Sequence, residues 1–348
     1  MKLAERVNLD FGDLDRDLVF LKQLGVSEIG IMVKEWDPKF GATPAWWESP
    51  ASGLRRTPYF HVEDLRALKS WIEGHGFNLY SIMGLNFTKS ARLRPDEPGY
   101  GEAIENVKKS IRNMGEVGIP QYAGGSRGFA GPAVPSPFKL NHWRTSVVYG
   151  RGGAQMVRYT DAVAQQAEPL ETGPVDEAEI WDDTRAWMDE VLPVAENAGV
   201  TLVHHPADPP VPALRGIAKI LKSAEDFDKL FSLYPSPANK MVFCLGCFSQ
   251  RYAPDGVVAA IKRFGDRIAE VHFRNVQGDM CEFTECYPDE GKLDMIKVME
   301  TLKNVGYDGP VVIDHTPHGI DDTVYGHRGR AFGFGYLRGI LQAIGASN

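Results

Sequence analysis

The sequence predicts a (β/α)8 barrel, in which eight parallel strands each lead into a helix. Short β-rich runs alternate about eight times with longer segments of helical period, which is the pattern of repeated βα units. Most of the strand runs are continuously apolar, as a sheet that is covered on both faces requires. The length of 348 residues accommodates one such barrel with insertions, so we expect residues 1–348 to form a single domain.

Eight segments have the composition of buried strands. Most are rich in Val, Ile, Leu and aromatic residues, and Gly, Pro, Asn or Asp stand at their ends. In chain order they are RVNLDF near residues 6–11, SEIGIMV from Ser27, NLYSIM from Asn78, PQYAGG from Pro120, VTLVHH from Val200, KMVFCLG from Lys240, IAEVHFRNV from Ile268 and GPVVIDH from Gly309.

Four of the intervening helices have clear boundaries. They are predicted over residues 63–76, 102–117, 176–198 and from Ser223 to about Tyr234. The phrases EVGIPQY, NAGVTLV and NVGYDGPVV each place a glycine where a helix gives way to a strand. A left-handed glycine satisfies the last helical carbonyls without steric cost, so the recurrence favours one repeated architecture over two unrelated domains.

Residues 124–175 interrupt this rhythm. The segment is rich in Gly, Pro, Ser and aromatic residues and is too long for a simple connection in a compact domain. Because it follows the fourth predicted strand, we expect an insertion at the carboxyl-terminal rim of the barrel, where it would serve as a lid or a wall of the substrate pocket. A surface excursion or a contact between subunits is the alternative.

Charge and composition exclude several classes of partner. The net charge is −8, and the chain lacks the clustered Lys and Arg that phosphate backbones require, so nucleic acid is not expected to bind. The first twenty residues carry charges throughout, and no window is apolar enough for a membrane span. We therefore expect a cytoplasmic protein with no membrane partner. Trp46, Trp47 and the long insertion would suit a contact in a homo-oligomer, although the tryptophans equally suit a pocket lining.

Histidines cluster near the carboxyl-terminal ends of late strands. Five of the nine lie at or just past three of these strand ends: His204, His205, His272, His315 and His318. A single histidine at a strand end is more often a hydrogen-bonded structural residue than a ligand. Parallel strands in a closed barrel, however, direct these ends at one shared cavity, which favours a common site.

Four consecutive strands each present one metal-binding side chain. These are His205 after the fifth strand, Cys244 in the sixth, His272 in the seventh and Asp314 after the eighth. Imidazole and thiolate bind borderline metals and a carboxylate suits harder ions, so we expect Mn²⁺ or Fe²⁺, with Zn²⁺ as an alternative. Open positions on such an ion would be left for substrate or water.

The four cysteines allow a competing interpretation. In a reducing compartment they are expected as thiols or ligands, and Cys244, Cys247, Cys281 and Cys286 could together form a zinc ribbon. The first pair, however, falls inside an apolar strand instead of a turn, and the spacing of the second pair is unusual for zinc knuckles. The barrel-rim metal site is therefore preferred.

At these positions the sequence resembles the mannonate dehydratase family. The resemblance lies in VHHPADPP (203–210), NKMVFCLGCF (239–248), VHFRNV (271–276), the run from residue 281 to residue 315 and YGHRGRAFGFGYLRGI (325–340). It is strongest over residues 199–345 and thins in the first half. The family is a metal-dependent (β/α)8 barrel that dehydrates D-mannonate to 2-keto-3-deoxy-D-gluconate, so the resemblance implies a hydro-lyase that acts on a sugar acid.

Carried over residue by residue, the resemblance assigns the metal to the same four side chains. It also implies that His315 and Tyr325 are the acid–base residues. Arg274 and Asn275 follow His272 closely enough to face the oxygens of the substrate, although strand alternation would equally let Arg274 point outward. We expect His204 and His318, at the same rim, to contact substrate as well. The sequence departs from the family where Thr316-Pro317-His318 follows His315, since the family continues there with glycine and arginine.

Two other functions remain open from the sequence. One is a metal-dependent sugar isomerase or epimerase on the same scaffold, whose ligands would resemble a Glu, Asp, His, Glu set. No such pair of glutamates occurs at the predicted strand ends. The other is a barrel that binds a sugar acid without catalysis, because a fold alone does not certify an activity.

Overall fold

The computed structural model describes residues 1–8, 14–32, 59–83, 93–124, 136–171 and 173–346. Its strands are, in chain order, β1 (Lys2–Asn8), β2 (Glu28–Met32), β3 (Asn78–Met83), β4 (Gln121–Ala123), β5 (Ser146–Tyr149), β6 (Gln155–Thr160), β7 (Thr201–His204), β8 (Ala213–Leu214), β9 (Ile217–Ala218), β10 (Asn239–Cys244), β11 (Ile268–His272), β12 (Val276–Gly278), β13 (Glu282–Glu285) and β14 (Pro310–Val312). Its helices are α1 (Leu14–Gln23), α2 (Val62–Gly74), α3 (Tyr100–Val117), α4 (Asp161–Ala164), α5 (Glu177–Ala198), α6 (Ala224–Leu233), α7 (Leu245–Arg251), α8 (Pro254–Phe264), α9 (Met295–Asn304) and α10 (His327–Ala343).

Eight strands close into a barrel in the order β1-β14-β11-β10-β7-β4-β3-β2. All neighbouring pairs are parallel. The predicted fold class is thus confirmed, and each of the eight predicted strands overlaps a strand of the barrel. The first strand lies earlier than expected, at Lys2–Asn8. Its apolar pattern is interrupted by Glu5 and Arg6, which are both buried.

The helix boundaries follow local chemistry that the sequence makes visible. Asp176 and Ser223 cap α5 and α6, and their side chains accept hydrogen bonds from the main-chain N–H groups of Glu179 and Asp226. Three exit glycines have positive φ values, 76° at Gly118, 67° at Gly199 and 81° at Gly306. Each hands a helix over to the next strand, as predicted.

The main hydrophobic core lies between the barrel and its outer layer of helices. In α3 the buried residues Ile104, Val107, Ile111 and Met114 recur at helical spacing and form one apolar face. The barrel interior holds small apolar clusters and then becomes charged, because Arg6 and Glu270 meet there with an N–O distance of 2.7 Å. This change from apolar to charged interior marks the approach to the functional rim.

A four-stranded antiparallel sheet, with the order β12-β13-β6-β5, lies next to the barrel. Strands β5 and β6 come from the predicted insertion, and β12 and β13 form a hairpin after β11. The two pairs are joined between β6 and β13, where Tyr159 is the partner of Phe283. A bridge between Gln155 and His318 also ties the insertion to the loop after β14. The insertion thus contributes side chains near the site.

Two further predictions concern a membrane span and the tryptophan pair. Within the described ranges, no helix is long and apolar enough to cross a membrane. Trp46 and Trp47, which were considered for a contact between subunits, lie outside the described residues.

Candidate metal centre and active site

The four predicted metal ligands lie on four neighbouring strands of the barrel. His205 follows β7, Cys244 ends β10, His272 ends β11 and Asp314 lies two residues after β14. Cys244 and His272 are partners in the strand register, and His272 is the partner of Val312 in β14. The parallel register aligns Cys244 with His272, and His205 and Asp314 follow the ends of the flanking strands β7 and β14 at the carboxyl-terminal rim.

The donor atoms of these four residues lie close together. His205 Nε2 is 3.2 Å from His272 Nδ1, His272 Nδ1 is 3.7 Å from Asp314 Oδ2, and Cys244 Sγ is 3.8 Å from Asp314 Oδ2. Ligands that bind one ion at about 2.0–2.3 Å are separated by roughly 3–4 Å, which matches these three distances. Cys244, His272 and Asp314 form one group of possible ligands, and His205 belongs to an adjoining group with Cys244 and Cys247. The set of two imidazoles, a thiolate and a carboxylate suits a transition metal.

Both imidazoles have their second nitrogen hydrogen-bonded to an oxygen. Nδ1 of His205 lies 2.7 Å from the carbonyl oxygen of Pro206, and Nε2 of His272 lies 2.7 Å from Glu270 Oε1. Donation of these N–H groups leaves an unprotonated nitrogen on each ring that faces the other ligands. Oriented histidines of this kind are typical of metal centres.

Glu270 connects His272 to the interior of the barrel. It is fully buried, pairs with Arg6 at 2.7 Å, and accepts a hydrogen bond of 2.9 Å from the Tyr80 hydroxyl. Burial by itself would raise the pKa of Glu270, but Arg6 and His272 overcome that effect and lower it to about 2. Glu270 is therefore an ionised acceptor that fixes the orientation of His272.

Cys244 is held in a setting that favours the thiolate. The main-chain N–H of Cys247 donates to Cys244 Sγ at 3.4 Å as α7 begins. Burial opposes ionisation, but the pKa of Cys244 lies well below its ordinary value because of this neighbouring cysteine, the Arg274 charge and the two histidines. A thiolate is the form of cysteine that binds metals.

A second charged cluster lies beside the first. Arg144 and Arg274 are both fully buried and both contact Asp208 and Glu285. Burial by itself would raise the pKa values of Asp208 and Glu285. The two arginines overcome that effect and hold both pKa values below the ordinary range. Arg274 also lies 3.1 Å from Asp314 Oδ2, so it links this cluster to the metal ligands.

His315 lies between the two clusters. Its Nδ1 is 2.7 Å from Glu285 Oε1, and its Nε2 is 3.4 Å from Asp314 Oδ1. Donation from Nδ1 to the carboxylate leaves Nε2 as the nitrogen that can exchange a proton. The side chain is partly exposed and lines the cavity above the metal ligands.

Tyr325 lines the same cavity from the loop before α10. Among the described residues its buried hydroxyl has no hydrogen-bond partner. Burial raises the pKa of this phenol above its ordinary value, so it stays protonated at neutral pH. The guanidinium of Arg330 lies 4.6 Å from the ring centroid and also pairs with Glu5.

The cavity has a volume of about 730 Å³ and opens at the rim. Its floor contains His205, His272, Asp314 and His315, and its walls include Arg144 and Met156 from the insertion. The volume exceeds that of one small polyhydroxy acid and fits the range of small-molecule sites.

The predicted substrate contacts divide into two groups. His318 lines the cavity. His204 and Asn275 do not, so the expectation that they contact substrate is not supported. His204 is buried on the face of β7 opposite His205, as strand alternation requires. The Asn275 amide donates to the carbonyl oxygens of Pro288 and Leu293, which makes it a structural residue. Arg274 does not line the cavity either, because its buried side chain pairs with Asp208, Glu285 and Asp314.

Sequence reasoning missed several residues of the site. Asp208 stands in the quoted VHHPADPP segment, which was available as a signal, whereas Arg144 lies in the insertion and was not singled out. Glu285 lies in β13, Lys219 follows β9, and no pattern marked either as functional. Their positions depend on the antiparallel elements that pack against the barrel.

The zinc-ribbon alternative is not supported by the positions of the cysteines. Cys281 is exposed, and the thiol of Cys286 donates to the carbonyl oxygen of Asn275. Neither belongs to a group of potential metal ligands in the described part of the chain, whereas Cys244 and Cys247 do.

Residues 160–348 match the model of the D-mannonate dehydratase (UxuA) family. A mannonate dehydratase of Oceanobacillus iheyensis is 28% identical over 316 residues, which cover 81% of this chain and 85% of the relative. One from Bacillus subtilis is 28% identical over 313 residues, covering 82% and 86%.

Solved structures show the same architecture. The mannonate dehydratase of Streptococcus suis serotype 2 superposes with a TM-score of 0.76 at 22% identity and covers 99% of this chain and 95% of its own. D-Psicose 3-epimerase of Clostridium cellulolyticum H10 superposes less closely, with a TM-score of 0.58 at 14% identity and 99% coverage of both chains. At these identities the superpositions establish the shared barrel.

Proposed function

Because the chain belongs to the mannonate dehydratase family, we propose that it is a metal-dependent hydro-lyase that removes water from a sugar acid. The observation that carries the proposal is the cluster of Cys244, His272 and Asp314, with His205 Nε2 3.2 Å from His272 Nδ1, beside His315 at the rim cavity. D-mannonate is the first substrate to test, with 2-keto-3-deoxy-D-gluconate as the product.

His205, Cys244, His272 and Asp314 would hold the metal, and Mn²⁺ or Fe²⁺ fits this mixed donor set best, with Zn²⁺ as the alternative. When bound, a divalent cation supplies electrostatic stabilisation of the charge that develops on the substrate's carboxylate during removal of the neighbouring proton. This stabilisation makes the proton at C2 removable near neutral pH.

His315 is the group that would accept the C2 proton. Glu285 would accept a hydrogen bond from its Nδ1, so Nε2, which lies 3.4 Å from Asp314 Oδ1, is the nitrogen proposed to take the proton. The carboxylate orients the imidazole and stabilises its charged form after proton transfer. Arg144 and Arg274 in turn keep Glu285 ionised.

Tyr325 would donate a proton to the leaving hydroxyl at C3. Its raised pKa keeps the phenol protonated, and its hydroxyl has no other partner in the described structure. The C2–H and C3–O bonds break, water leaves, and the resulting enol becomes the 2-keto-3-deoxy acid. Proton transfers by such positioned groups typically contribute 10²-fold to 10⁴-fold to the rate.

An isomerase or epimerase on the same scaffold is less well supported. Glu270, a glutamate in a barrel strand near the ligands, is paired with Arg6 and His272, so it does not offer a free carboxylate. A non-catalytic binding barrel is disfavoured by the acid–base pair in the cavity.

Purified protein loaded with Mn²⁺ and assayed on a panel of sugar acids tests the proposal. A 2-keto acid detected with semicarbazide supports the dehydratase, whereas a new ketose found by chromatography would support an isomerase. Elemental analysis of the purified protein addresses the non-catalytic alternative. If no metal binds and no 2-keto acid forms from any acid tested, the proposal fails. We further propose that the enzyme is cytoplasmic and forms a homo-oligomer. Gel filtration of the purified protein tests the oligomeric state, and fractionation of cells tests the location.

A further inference from the structure

Four arginines of the described structure that lie at or near the cavity are each paired with a carboxylate. Arg6 pairs with Glu270, Arg330 pairs with Glu5, and Arg144 and Arg274 share Asp208 and Glu285. Four arginines are thus matched by four carboxylates and are committed to holding the protein together.

Lys219 also lines the cavity, but its contacts differ from those of the arginines. Its ammonium donates to the carbonyl oxygens of Asp208 and Pro209, both at 3.2 Å, and forms no ion pair with a carboxylate in the described ranges. An ammonium has three N–H donors, so one donor is left after these two hydrogen bonds. Lys219 lines the cavity, as do His205, Pro206 and Ala207, which directly precede the Asp208-Pro209 segment that Lys219 contacts.

The backbone of Lys219 is held firmly. It follows the two-stranded sheet of β8 and β9, and its N–H donates to the carbonyl oxygen of Pro212 at 2.9 Å. The preceding residue, Ala218, donates to the carbonyl oxygen of Val175 at 2.9 Å. The ordered main chain therefore holds Lys219 at the cavity wall before a substrate binds.

We propose that Lys219 is the residue that binds the carboxylate of the substrate and so makes the site selective for sugar acids over neutral sugars. The inference rests on the proposed function, because it concerns the substrate of that same site. Lys139 also lines the cavity but is exposed, so its ammonium is well hydrated and is a weaker anchor.

Two further features support this assignment. Burial lowers the pKa of Lys219 to about 8, so the side chain is still charged at neutral pH but incompletely solvated. A carboxylate that binds there replaces the missing hydration with a charge-assisted hydrogen bond. Removal of such a bond typically weakens binding about 10-fold to 100-fold.

Calorimetry on Mn²⁺-loaded protein tests the inference with two probes of equal chain length. One is a six-carbon 3-deoxyaldonate, which cannot lose a 3-hydroxyl, and the other is the neutral hexitol. In Lys219→Met and Lys219→Gln, affinity for the 3-deoxyaldonate should fall about 10-fold to 100-fold, while affinity for the hexitol stays within about twofold. Lys219→Arg should retain most of the affinity.

Lys222→Met is the matched control, because Lys222 pairs with Glu177 and Asp226 outside the cavity. It should bind both probes like the wild type. The inference is overturned if the Lys219 variants bind the 3-deoxyaldonate as the wild type does, or if both probes are weakened equally, since a merely structural lysine would produce that result.

Turnover separates this inference from the proposed function. If the wild type dehydrates a sugar acid and Lys219→Met does so with an unchanged KM, only the role of Lys219 is wrong. A 10-fold to 100-fold rise in KM with little change in kcat supports that role. If the wild type neither binds nor converts any sugar acid, both the proposed function and the inference fail.

Discussion

Glu270 Oε1 lies 2.7 Å from His272 Nε2, so a carboxylate inside the barrel sets the orientation of a proposed metal ligand at its rim. Glu270→Gln removes the negative charge from this pair and from the contact with Arg6. Loss of such a partner typically lowers metal affinity about 10-fold to 100-fold. Competition with a metal chelator would measure the change.

Glu28→Gln is the control for this substitution, because Glu28 is also a buried strand glutamate but pairs with Lys2, away from the ligands. Its metal affinity should match the wild type. Equal affinity in wild type and Glu270→Gln would contradict the role of Glu270.

Cys244→Ala removes the thiolate from the donor set, and we expect the purified protein to lose most of its bound metal and its dehydratase activity. Metal content by mass spectrometry is the measurement. Cys286→Ala removes another buried cysteine, whose thiol contacts only a main-chain oxygen in the described structure, so it should keep both. If Cys244→Ala retains its metal, Cys244 is not a ligand.

His315→Asn should leave the metal in place and lower kcat by about 10²-fold to 10⁴-fold, because it removes the proposed proton acceptor but not a ligand. Steady-state kinetics combined with metal analysis checks both parts. His75→Asn is the control, because His75 contacts Trp71 and Asp15 and does not line the cavity. This variant should have wild-type kinetics. Wild-type kcat in His315→Asn would refute the assignment.

Glu5 gives a prediction for the dependence of stability on pH. Burial raises its pKa to about 7 despite the nearby Arg330, from 4.5 in the unfolded chain. Between these values the folded protein holds more protons than the unfolded one, so this group lowers the free energy of unfolding as pH rises. The contribution of Glu5 to the free energy of unfolding should fall by about 2 kcal/mol between pH 5 and pH 7.5.

Urea unfolding of wild type and Glu5→Gln at both pH values isolates this effect. The difference in unfolding free energy between the two proteins should shift by that amount in favour of Glu5→Gln at the higher pH. A difference that does not change with pH would show that Glu5 titrates normally.

The close packing of α7 on Arg274 yields a test of the buried charge cluster. A Cβ added at Gly246 would lie 1.9 Å from Arg274 Nε, so Gly246→Ala must displace a guanidinium that is held by Asp208 and Asp314. We expect a loss of about 1–3 kcal/mol in unfolding free energy, measured by chemical denaturation.

Gly335→Ala is the matched control in α10, where an added Cβ meets nothing within 4 Å. Alanine is the better helix former, so stability should be unchanged or rise by about 0.5–1 kcal/mol. If the two substitutions have the same effect, the contact between Gly246 and Arg274 is not as close as described.

The sequence by itself predicted the barrel, which the structure confirms, and the four proposed metal donors. Apolar strand runs, capping residues such as Asp176 and exit glycines such as Gly199 act locally, so their meaning can be read along the chain. His205, Cys244, His272 and Asp314 were found because parallel strands bring their ends to one rim, a rule that needs no coordinates.

Only the tertiary structure decided which other groups lie beside these four residues. Glu285, Lys219 and Arg144 come from antiparallel strands and loops whose packing against the barrel depends on contacts far apart in sequence. Strand alternation likewise turned His204 away while His205 entered the cavity, although the sequence shows them side by side. Local patterns fix which elements form, whereas side-chain partnerships depend on how distant elements meet.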